Sequence, residues 1–326
     1  MKLDFLVPQY DEDDSIIKNL LDSINIQQNI DFNDISVIIV NDGSNVFLSE
    51  KLLNSYPFKI NYYKEDHKGV SATRNSCLNH SNADYVMFCD ADDMFYNACG
   101  VWLILREIKL EEFDALISVF IEETKNSLDN SPVYINHNND TTFVHGKVYR
   151  RKYLIENDIK FNPNLTIHED SYFNYLAQKC TTPNRIKYSP NSFYLWKWRD
   201  SSVCRHDPKY ILKTYNKMLD SSSALVQELM KRGKGNEAEE LVTAMIYDAY
   251  FTMNKKEWIN QENKEYRDST EKRFKKYYND FNYIYNMIDE NKKNQIIMII
   301  KNRMFSEGLV MESITFHDWI NKILNI

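Results

Sequence analysis

Short apolar runs alternate with helical patterns in the N-terminal part of the chain. Runs of strand length, rich in β-branched and aromatic residues, occupy residues 3–7, 35–40, 58–63 and 85–89. Apolar side chains at helical spacing follow the first run, at Ile16, Ile17, Leu20, Leu21 and Ile24, and residues 70–80 predict another helix. This alternation predicts an α/β fold, with a mainly parallel sheet flanked by helices on both faces.

Polar residues follow three of the predicted strands. They are residues 8–11, Asp42 and the acidic sequence Asp90-Ala91-Asp92-Asp93. Ligands of open α/β sheets gather at the carboxyl ends of the strands, so these residues indicate a site. Three neighbouring carboxylates repel one another unless solvent or a cation compensates them, and their oxygens suit Mn²⁺ or Mg²⁺. The alternative is an acidic turn without a ligand.

The second part of the chain has a different composition. All seven prolines lie at or before Pro208, and only Gly233, Gly235 and Gly308 interrupt the sequence after it. We therefore predict a catalytic domain over residues 1–207 and a helical region over residues 208–326. Apolar residues at helical spacing in this region predict core rather than a ligand site, and they make self-association through the C-terminal helices an expectation.

Composition narrows the class of protein. The chain has 326 residues, a formal charge of −7 and a pI near 5.6, which argues against a nucleic-acid binder. Its five cysteines show no Cys-x-x-Cys spacing, so neither a disulfide framework nor a zinc site is expected, and a reducing cytoplasm fits best. The first apolar run is too short for a signal peptide, and no later run reaches transmembrane length, so we expect a soluble protein.

Several motifs occur in an order and spacing that resemble family 2 glycosyltransferases. They are Val7-Pro8-Gln9-Tyr10-Asp11, Val40-Asn41-Asp42-Gly43-Ser44, Lys68-Gly69-Val70-Ser71-Ala72-Thr73-Arg74-Asn75, Phe88-Cys89-Asp90-Ala91-Asp92-Asp93, Gly146-Lys147-Val148-Tyr149-Arg150-Arg151, His168-Glu169-Asp170 and Tyr194-Leu195-Trp196-Lys197-Trp198-Arg199-Asp200-Ser201-Ser202. The resemblance covers about residues 3–206. It implies a GT-A (Rossmann-like) fold, a nucleotide-diphosphate sugar donor, a divalent metal and inversion at the anomeric carbon.

The layout is also similar to glycosyltransferases that decorate bacterial surface polymers such as capsule or teichoic acid. This weaker resemblance implies a UDP-sugar donor of the hexosyl or N-acetylhexosaminyl class and a glycan or surface-polymer acceptor. The implied location is cytoplasmic, with peripheral attachment to the inner face of the membrane as an alternative.

The resemblance assigns roles to residues at the matching positions. Asp92 is the expected metal ligand, with Asp90 acting through water or on the ribose, and with Asp93 and His206 as further metal candidates. The expected donor-binding residues are Pro8, Tyr10, Asp42, Lys68, Arg74, Asp90, Ala91, Arg199 and Arg205. For Arg74 the alternative is an ordinary surface arginine of a helix, and the basic residues near Arg199 could equally form a solvated face.

The resemblance also makes Asp170 the expected catalytic base. Inversion needs a base opposite the leaving group to take the proton of the acceptor hydroxyl. Asp170 precedes apolar residues at helical spacing, so it falls in the first turn of a predicted helix whose dipole favours the ionised carboxylate. His168 and Glu169 could orient it or contact the acceptor.

Two departures from the family pattern bear on the donor. Asn41 stands where the family usually has an aspartate, and Asp11 stands where an asparagine is usual.

Two other functions stay open at this point. A nucleotidyltransferase would have a glycine-rich phosphate loop after the first strand, which Pro8-Gln9-Tyr10-Asp11 lacks. A non-catalytic protein that binds sugar nucleotides or glycans would keep the fold without turnover.

Overall fold

A computed structural model describes residues 1–199, 209–259, 263–306, 308 and 314–324. Two compact units divide the chain, Met1–Ser202 and Val203–Ile326. The boundary predicted after residue 207 lies within residues 200–208, outside the described part, and stays a prediction.

The first unit is built on one mixed sheet. Its strands are β1 (Leu3–Gln9), β2 (Ile35–Asp42), β3 (Lys59–Glu65), β4 (Tyr85–Phe88), β5 (Met94–Phe95), β6 (Ala115–Lys125), β7 (Pro132–His137), β8 (Lys147–Arg150) and β9 (Ile186–Trp196). Its helices are α1 (Asp14–Asn25), α2 (Glu50–Leu53), α3 (Val70–His80), α4 (Gly100–Leu110), α5 (Arg151–Glu156) and α6 (Glu169–Lys179). The order across the sheet is β3-β2-β1-β4-β8-β6-β9-β5, with β7 paired to β6.

The first four strands in this order are parallel, as the sequence predicted. β1 lies between β2 and β4, and Gln9 of β1 pairs with Asn41 of β2, so these two strands end at the same level. β1, β2 and β4 are almost entirely buried because helices cover the sheet, whereas β3, at the edge, is only partly buried. Asp13 starts α1 by accepting hydrogen bonds from the N–H groups of Ser15 and Ile16. The α/β fold with a mainly parallel sheet flanked by helices is confirmed for this part.

The rest of the sheet contains antiparallel pairs that the sequence did not predict. β8 runs antiparallel to both β4 and β6. β7 runs antiparallel to β6, and β5 runs antiparallel to β9. β9 is parallel to β6, with an irregular register beside Val119. Because β8 is antiparallel to β4, the residues that lead into β8 lie near the carboxyl end of β4, and Val144 among them contacts Asp170 of α6.

The second unit is helical in its described residues, as predicted for the C-terminal region. Its helices are α7 (Tyr210–Lys231), α8 (Gly235–Met253), α9 (Lys256–Ile259), α10 (Lys264–Met287), α11 (Glu290–Ser306) and α12 (Phe316–Leu324). Leu219, Val226, Val242, Ile246 and Phe274 are fully buried, which is the outcome expected for apolar residues at helical spacing. Within the part of the chain described, none of the helices combines the length and apolar character of a membrane span.

Candidate active site

The carboxyl ends of β1, β2 and β4 open into a cleft with a volume of about 300 Å³. Many of the residues predicted to bind the donor line this cleft, and they come from five separate parts of the sequence. The lining residues are Pro8, Gln9, Tyr10, Glu12, Asp42, His67, Gly69, Val70, Thr73, Arg74, Asp90, Ala91, Asp92 and Arg199. The cleft therefore lies where the strand pattern placed a ligand site.

The buried side-chain amides of Gln9 and Asn41 join the ends of β1 and β2 beside the cleft. The Nδ2 of Asn41 donates to the Oε1 of Gln9 at 2.8 Å and to the carbonyl of Val46 at 3.0 Å. The side-chain oxygen of Asn41 accepts from the N–H of Ser44 at 2.9 Å. Asn41 is absent from the cleft lining, so at this position the chain uses an amide to build the loop rather than a second acid to grip a ligand.

Asp42 fastens the loop that leads into α3. Its carboxylate accepts hydrogen bonds from the backbone N–H of Lys68 at 2.8 Å and of Gly69 at 3.0 Å, and the Nδ1 of His67 lies 3.0 Å from its Oδ2. Gly43 has a positive φ of 73°, and a Cβ there would lie 2.4 Å from the backbone nitrogen of His67. Only glycine allows the two loops to approach this closely.

The loop after β1 carries an aromatic side chain on the rim of the cleft. The ring of Tyr10 is about half exposed and lies 4.9 Å from the ring of His67. The next residue, Asp11, has a φ of 63°, a left-handed conformation that aspartate and asparagine both tolerate. Asp11 accepts a hydrogen bond from the hydroxyl of Ser44. The aspartate at this position thus supports the loop as an asparagine could.

Three acids after β4 experience different environments. Burial raises the pKa of Asp90, but the charge of Arg74 opposes it, and the net effect is a lowered pKa. For Asp92, burial and then the charge of Asp90 raise the pKa. Burial raises the pKa of Asp93 most strongly, with further increases from the charges of Asp90 and Asp92. Asp90 and Asp92 face the cleft, whereas Asp93 lies beneath it.

Asp93 anchors the end of β9 to the acidic loop. The hydroxyl of Tyr194 donates to its Oδ2 at 2.7 Å, and the N–H of Lys197 donates to its Oδ1 at 2.9 Å. Buried His145 has its Nδ1 3.7 Å from the same Oδ2. Ligand atoms of Asp90, Asp93 and His145 lie within 4.8 Å of one another, so these three could also hold a cation.

Arg199 lies on the cleft side of the acidic loop. Its Nε is 3.0 Å from the Oδ2 of Asp92, and its Nη1 is 3.2 Å from the Oε1 of Glu12. The Oε2 of Glu12 accepts from the backbone N–H of Tyr10 at 2.7 Å. Arg199 thereby links the segment after β9 to the loops after β1 and β4.

Arg74 joins three carboxylates from two parts of the chain. Its Nη2 donates to Asp90 at 2.9 Å, and its Nη1 donates to Glu169 at 3.0 Å and to Asp170 at 2.7 Å. Burial lowers the pKa of Arg74, but the charges of Asp170, Asp90 and Glu169 outweigh it and hold the pKa above its usual value. Arg74 is a buried part of the site and not a surface arginine.

Asp170 lies in the first turn of α6, as expected from the sequence. Besides Arg74, it contacts the backbone N–H of Val144, which donates to its Oδ2 at 3.2 Å. Burial raises the pKa of Asp170 to about 7, against the opposing charge of Arg74. The expectation that the helix dipole would favour the ionised form is therefore corrected, because burial has the larger effect.

Some predicted residues lie elsewhere. The side chain of Lys68 is exposed and does not line the cleft, although its N–H binds Asp42. Arg205 and His206 lie outside the described residues. The predicted set did not include Gln9, Glu12, Thr73 or His145. Gln9, Glu12 and Thr73 each lie within a few residues of a predicted site residue and could have been included on that ground. His145 directly precedes the motif that begins at Gly146, but no site residue was predicted near it.

Two curated relatives match this chain over short stretches of sequence. The Streptococcus pneumoniae "Glycosyltransferase GlyA" is 34% identical over 94 residues, which are 28% of this chain and 13% of that protein. The Bacillus subtilis "Minor teichoic acid biosynthesis protein GgaB" is 36% identical over 72 residues, 21% of this chain and 8% of that protein. The chain thus matches only a small share of the length of these two curated relatives.

A solved structure and a family profile match most or more than half of the chain. A crystal structure of residues 1–349 of Staphylococcus aureus TarS in complex with UDP-GlcNAc has a TM-score of 0.61 and 16% identity, covering 96% of this chain and 93% of that one. At this identity the likeness shows the fold. The sequence profile of "Glycosyl transferase family 2" matches residues 4–172, more than half of the chain. The chain therefore belongs to glycosyltransferase family 2.

Proposed function

We propose that this chain is an inverting, metal-dependent glycosyltransferase that moves a sugar from a UDP-linked donor to a hydroxyl of a glycan or cell-surface polymer. The observation that carries the proposal is the cleft at the carboxyl ends of β2 and β4, where Asp42, Asp90 and Asp92 converge. Asp170 lies behind it, separated from Asp90 by the guanidinium of Arg74. Acids for a donor and a separate acid for proton removal are what such a reaction needs.

The donor nucleoside would occupy the part of the cleft next to β1 and β2. Tyr10 offers a half-exposed aromatic face, and Asp42 offers a carboxylate beside Pro8. Arg199 lines the cleft beside Asp92 and is the first candidate to bind the diphosphate, and Lys68 and Arg205 are further candidates from the sequence. A guanidinium can bind phosphate oxygens with two parallel hydrogen bonds, so an arginine suits diphosphate binding better than a lysine.

The residues present fit a divalent metal. Carboxylate oxygens are the ligands of Mg²⁺ and Mn²⁺, and Asp92 presents its carboxylate to the cleft with Asp90 next to it. Asp93 and His145 lie beneath and hold Tyr194 and the end of β9, so they support the loop. When bound, the metal would stabilise negative charge on the leaving diphosphate. We therefore assign Asp92 as the principal ligand, with Asp90 assisting.

The transfer itself would be a single displacement. The acceptor oxygen forms a bond to the anomeric carbon as the bond from that carbon to the β-phosphate oxygen breaks, and UDP leaves. Asp170 takes the proton of the acceptor hydroxyl. Its pKa of about 7 suits this role, since a base works best when its pKa is close to the working pH.

The comparisons favour an N-acetylhexosamine donor and a surface polymer acceptor. The TarS structure contains UDP-GlcNAc, and GgaB is described as a teichoic acid biosynthesis protein. We propose UDP-GlcNAc as the first donor to test. The described cysteines Cys77, Cys89, Cys99 and Cys180 are free thiols, which agrees with the proposed cytoplasmic location or the inner face of the membrane.

Release of UDP tests this function directly. The purified chain would be incubated with UDP-GlcNAc, UDP-glucose, UDP-galactose or GDP-mannose, with Mn²⁺, Mg²⁺ or EDTA, and the free diphosphate measured. We expect metal-dependent release of UDP from one UDP-sugar, accelerated by a glycan acceptor. Donor binding without release would instead support a non-catalytic binding protein. Pyrophosphate formed from UTP and a sugar phosphate would support a nucleotidyltransferase.

A further inference from the structure

Arg74 connects the two halves of the proposed active site. On one side its Nη2 donates to Asp90, which lines the donor cleft at the end of β4. On the other side its Nη1 donates to Asp170, which lies 96 positions further along the chain at the start of α6. One rigid, planar group thus spans the donor acids and the proposed base.

The surroundings of Arg74 hold it in place. Its side chain is 5% exposed, and its guanidinium lies over the ring of Phe161 at 5.3 Å. The neighbouring Asn75 makes two hydrogen bonds of 2.9 Å to the backbone of Phe161, one through its Nδ2 and one through its Oδ1. Helix α3 is therefore fastened to the segment that leads into α6, directly beside the arginine.

The charges around Arg74 explain why this position needs a guanidinium. Asp90, Glu169 and Asp170 bring three carboxylates within 3.0 Å of one cation. Three acids this close would repel one another without it. A lysine ammonium could compensate charge, but it lacks the planar fork that reaches carboxylates on two sides at once.

We propose that Arg74 is a positioning residue that holds the base Asp170 in a fixed geometry relative to the donor site at Asp90. This inference rests on the proposed function, because it assumes that Asp170 removes the proton of the acceptor. Arg74 acts through the position of Asp170, and not by binding the nucleotide. Loss of the arginine should therefore lower the rate of transfer much more than the affinity for UDP.

A double-mutant cycle tests this role. The variants Arg74→Gln, Asp170→Asn and the double variant would be compared with the wild-type chain for kcat with a UDP-sugar and for the Kd of UDP by calorimetry. A misplacement of about 1 Å can cost about 10²-fold in rate, so Arg74→Gln should lower kcat by about that factor while the Kd of UDP changes less than about threefold. In the Asp170→Asn background the same substitution should have little further effect, because a residue that acts through another gives non-additive losses.

Two further variants serve as controls. Arg106→Gln removes an exposed arginine of α4 that lies outside the cleft and should leave kcat and Kd unchanged. Arg74→Lys keeps the charge without the fork and should recover only part of the lost kcat. It also serves in the cycle if Arg74→Gln does not fold, as judged by circular dichroism.

Several outcomes would overturn the role of Arg74. Additive losses in the double variant would show that Arg74 does not act through Asp170. A Kd for UDP that rises in proportion to the loss of kcat would make Arg74 a donor-binding residue, and full recovery with lysine would leave charge compensation as its only role. If Asp170→Asn alone keeps wild-type kcat, the proposed base fails, and the positioning role fails with it. If Asp170→Asn lowers kcat as expected but the losses in the double variant are additive, only the role of Arg74 is overturned, and Asp170 remains the proposed base.

Discussion

Arg199 and Asp92 form an ion pair across the mouth of the cleft, with the Nε of Arg199 3.0 Å from the Oδ2 of Asp92. The same arginine approaches Glu12 at 3.2 Å. Both partners face the space in which a metal and a diphosphate would bind. A divalent cation on Asp92 would compensate the carboxylate in place of Arg199, and the arginine could then turn to the phosphates. If the proposed metal binds Asp92, this exchange would couple metal binding to the segment after β9.

The first prediction concerns Asp92. Asp92→Asn removes the charge of the proposed ligand. We expect metal-dependent UDP release to fall by about 10²-fold or more, since a bound metal would stabilise the departing diphosphate by several kcal/mol. Mn²⁺ binding, measured by electron paramagnetic resonance, should weaken in parallel. Asp84→Asn is the matched control, because Asp84 is an exposed acid at the opposite end of the same strand. Full activity of Asp92→Asn in excess EDTA would contradict the metal assignment.

The second prediction concerns the family departure at Asn41. Asn41→Asp would place an acceptor where the Nδ2 now donates to Gln9 and to the carbonyl of Val46. A buried group that loses its partner costs about 1–3 kcal/mol, so the free energy of unfolding in urea should fall by about that amount. Asn19→Asp, an exposed change on α1, should shift it by less than about 0.5 kcal/mol. Tighter UDP binding by Asn41→Asp without loss of stability would show that Asn41 faces the donor instead.

The cleft could be predicted from the sequence because the pattern that indicates it lies within short continuous stretches of the chain. Each strand of the parallel half is an apolar run followed directly by polar residues, and parallel strands end at the same edge of the sheet. Asp42, Asp90 and Asp92 could therefore be assigned to one edge without knowing any contact between them. Gly43 shows the limit of such reasoning, because its close approach to His67 depends on the loop that Asp42 holds.

Contacts distant in sequence could not be predicted. The bonds of Arg74 to Asp170 and of Asp93 to Tyr194 join residues about a hundred positions apart, and nothing in either local pattern specifies the partner. The bond of Asp93 to Tyr194 depends on the antiparallel pairing of β5 with β9. The bond of Arg74 to Asp170 depends on the packing of α6, where Asp170 contacts Val144 in the segment that leads into β8, beside β4. The raised pKa of Asp170 depends on the same packing, so the sequence could supply only the helix dipole, which burial outweighs.

A third prediction concerns self-association of the helical unit. Helix α11 exposes Met298 by 62% and Ile299 by 69%, and Phe305 is also exposed near its end. We expect Ile299→Glu to shift the chain from dimer to monomer in light scattering at micromolar concentration, because a charge is poorly accommodated in an apolar interface. Tyr188→Glu, at an exposed residue of β9 in the first unit, should not change the mass. A monomeric wild-type chain would contradict the prediction.

A fourth prediction is that Asp170→Asn lowers kcat by about 10²–10⁴-fold, the usual contribution of a positioned base. The amide keeps the size of the side chain and cannot take the proton, so the Kd of UDP should change little. Asp129→Asn, at an exposed loop residue, is the control and should keep wild-type kcat. If Asp170→Asn keeps more than about a tenth of kcat, well short of the loss expected for a base, then Glu169 or another group has this role.

The last prediction is a pH dependence with a defined sign. Burial raises the pKa of Asp170 to about 7, and a base must be deprotonated to accept the acceptor proton. The rate should therefore rise about tenfold per pH unit below this pKa and level off above it. Measuring kcat between about pH 5 and pH 9 at saturating metal and donor would show this limb. In Asp170→Asn the remaining rate should no longer follow it, whereas the Asp129→Asn control should. A wild-type rate that is flat through pH 7, or that falls as the pH rises, would exclude Asp170 as a base with this pKa.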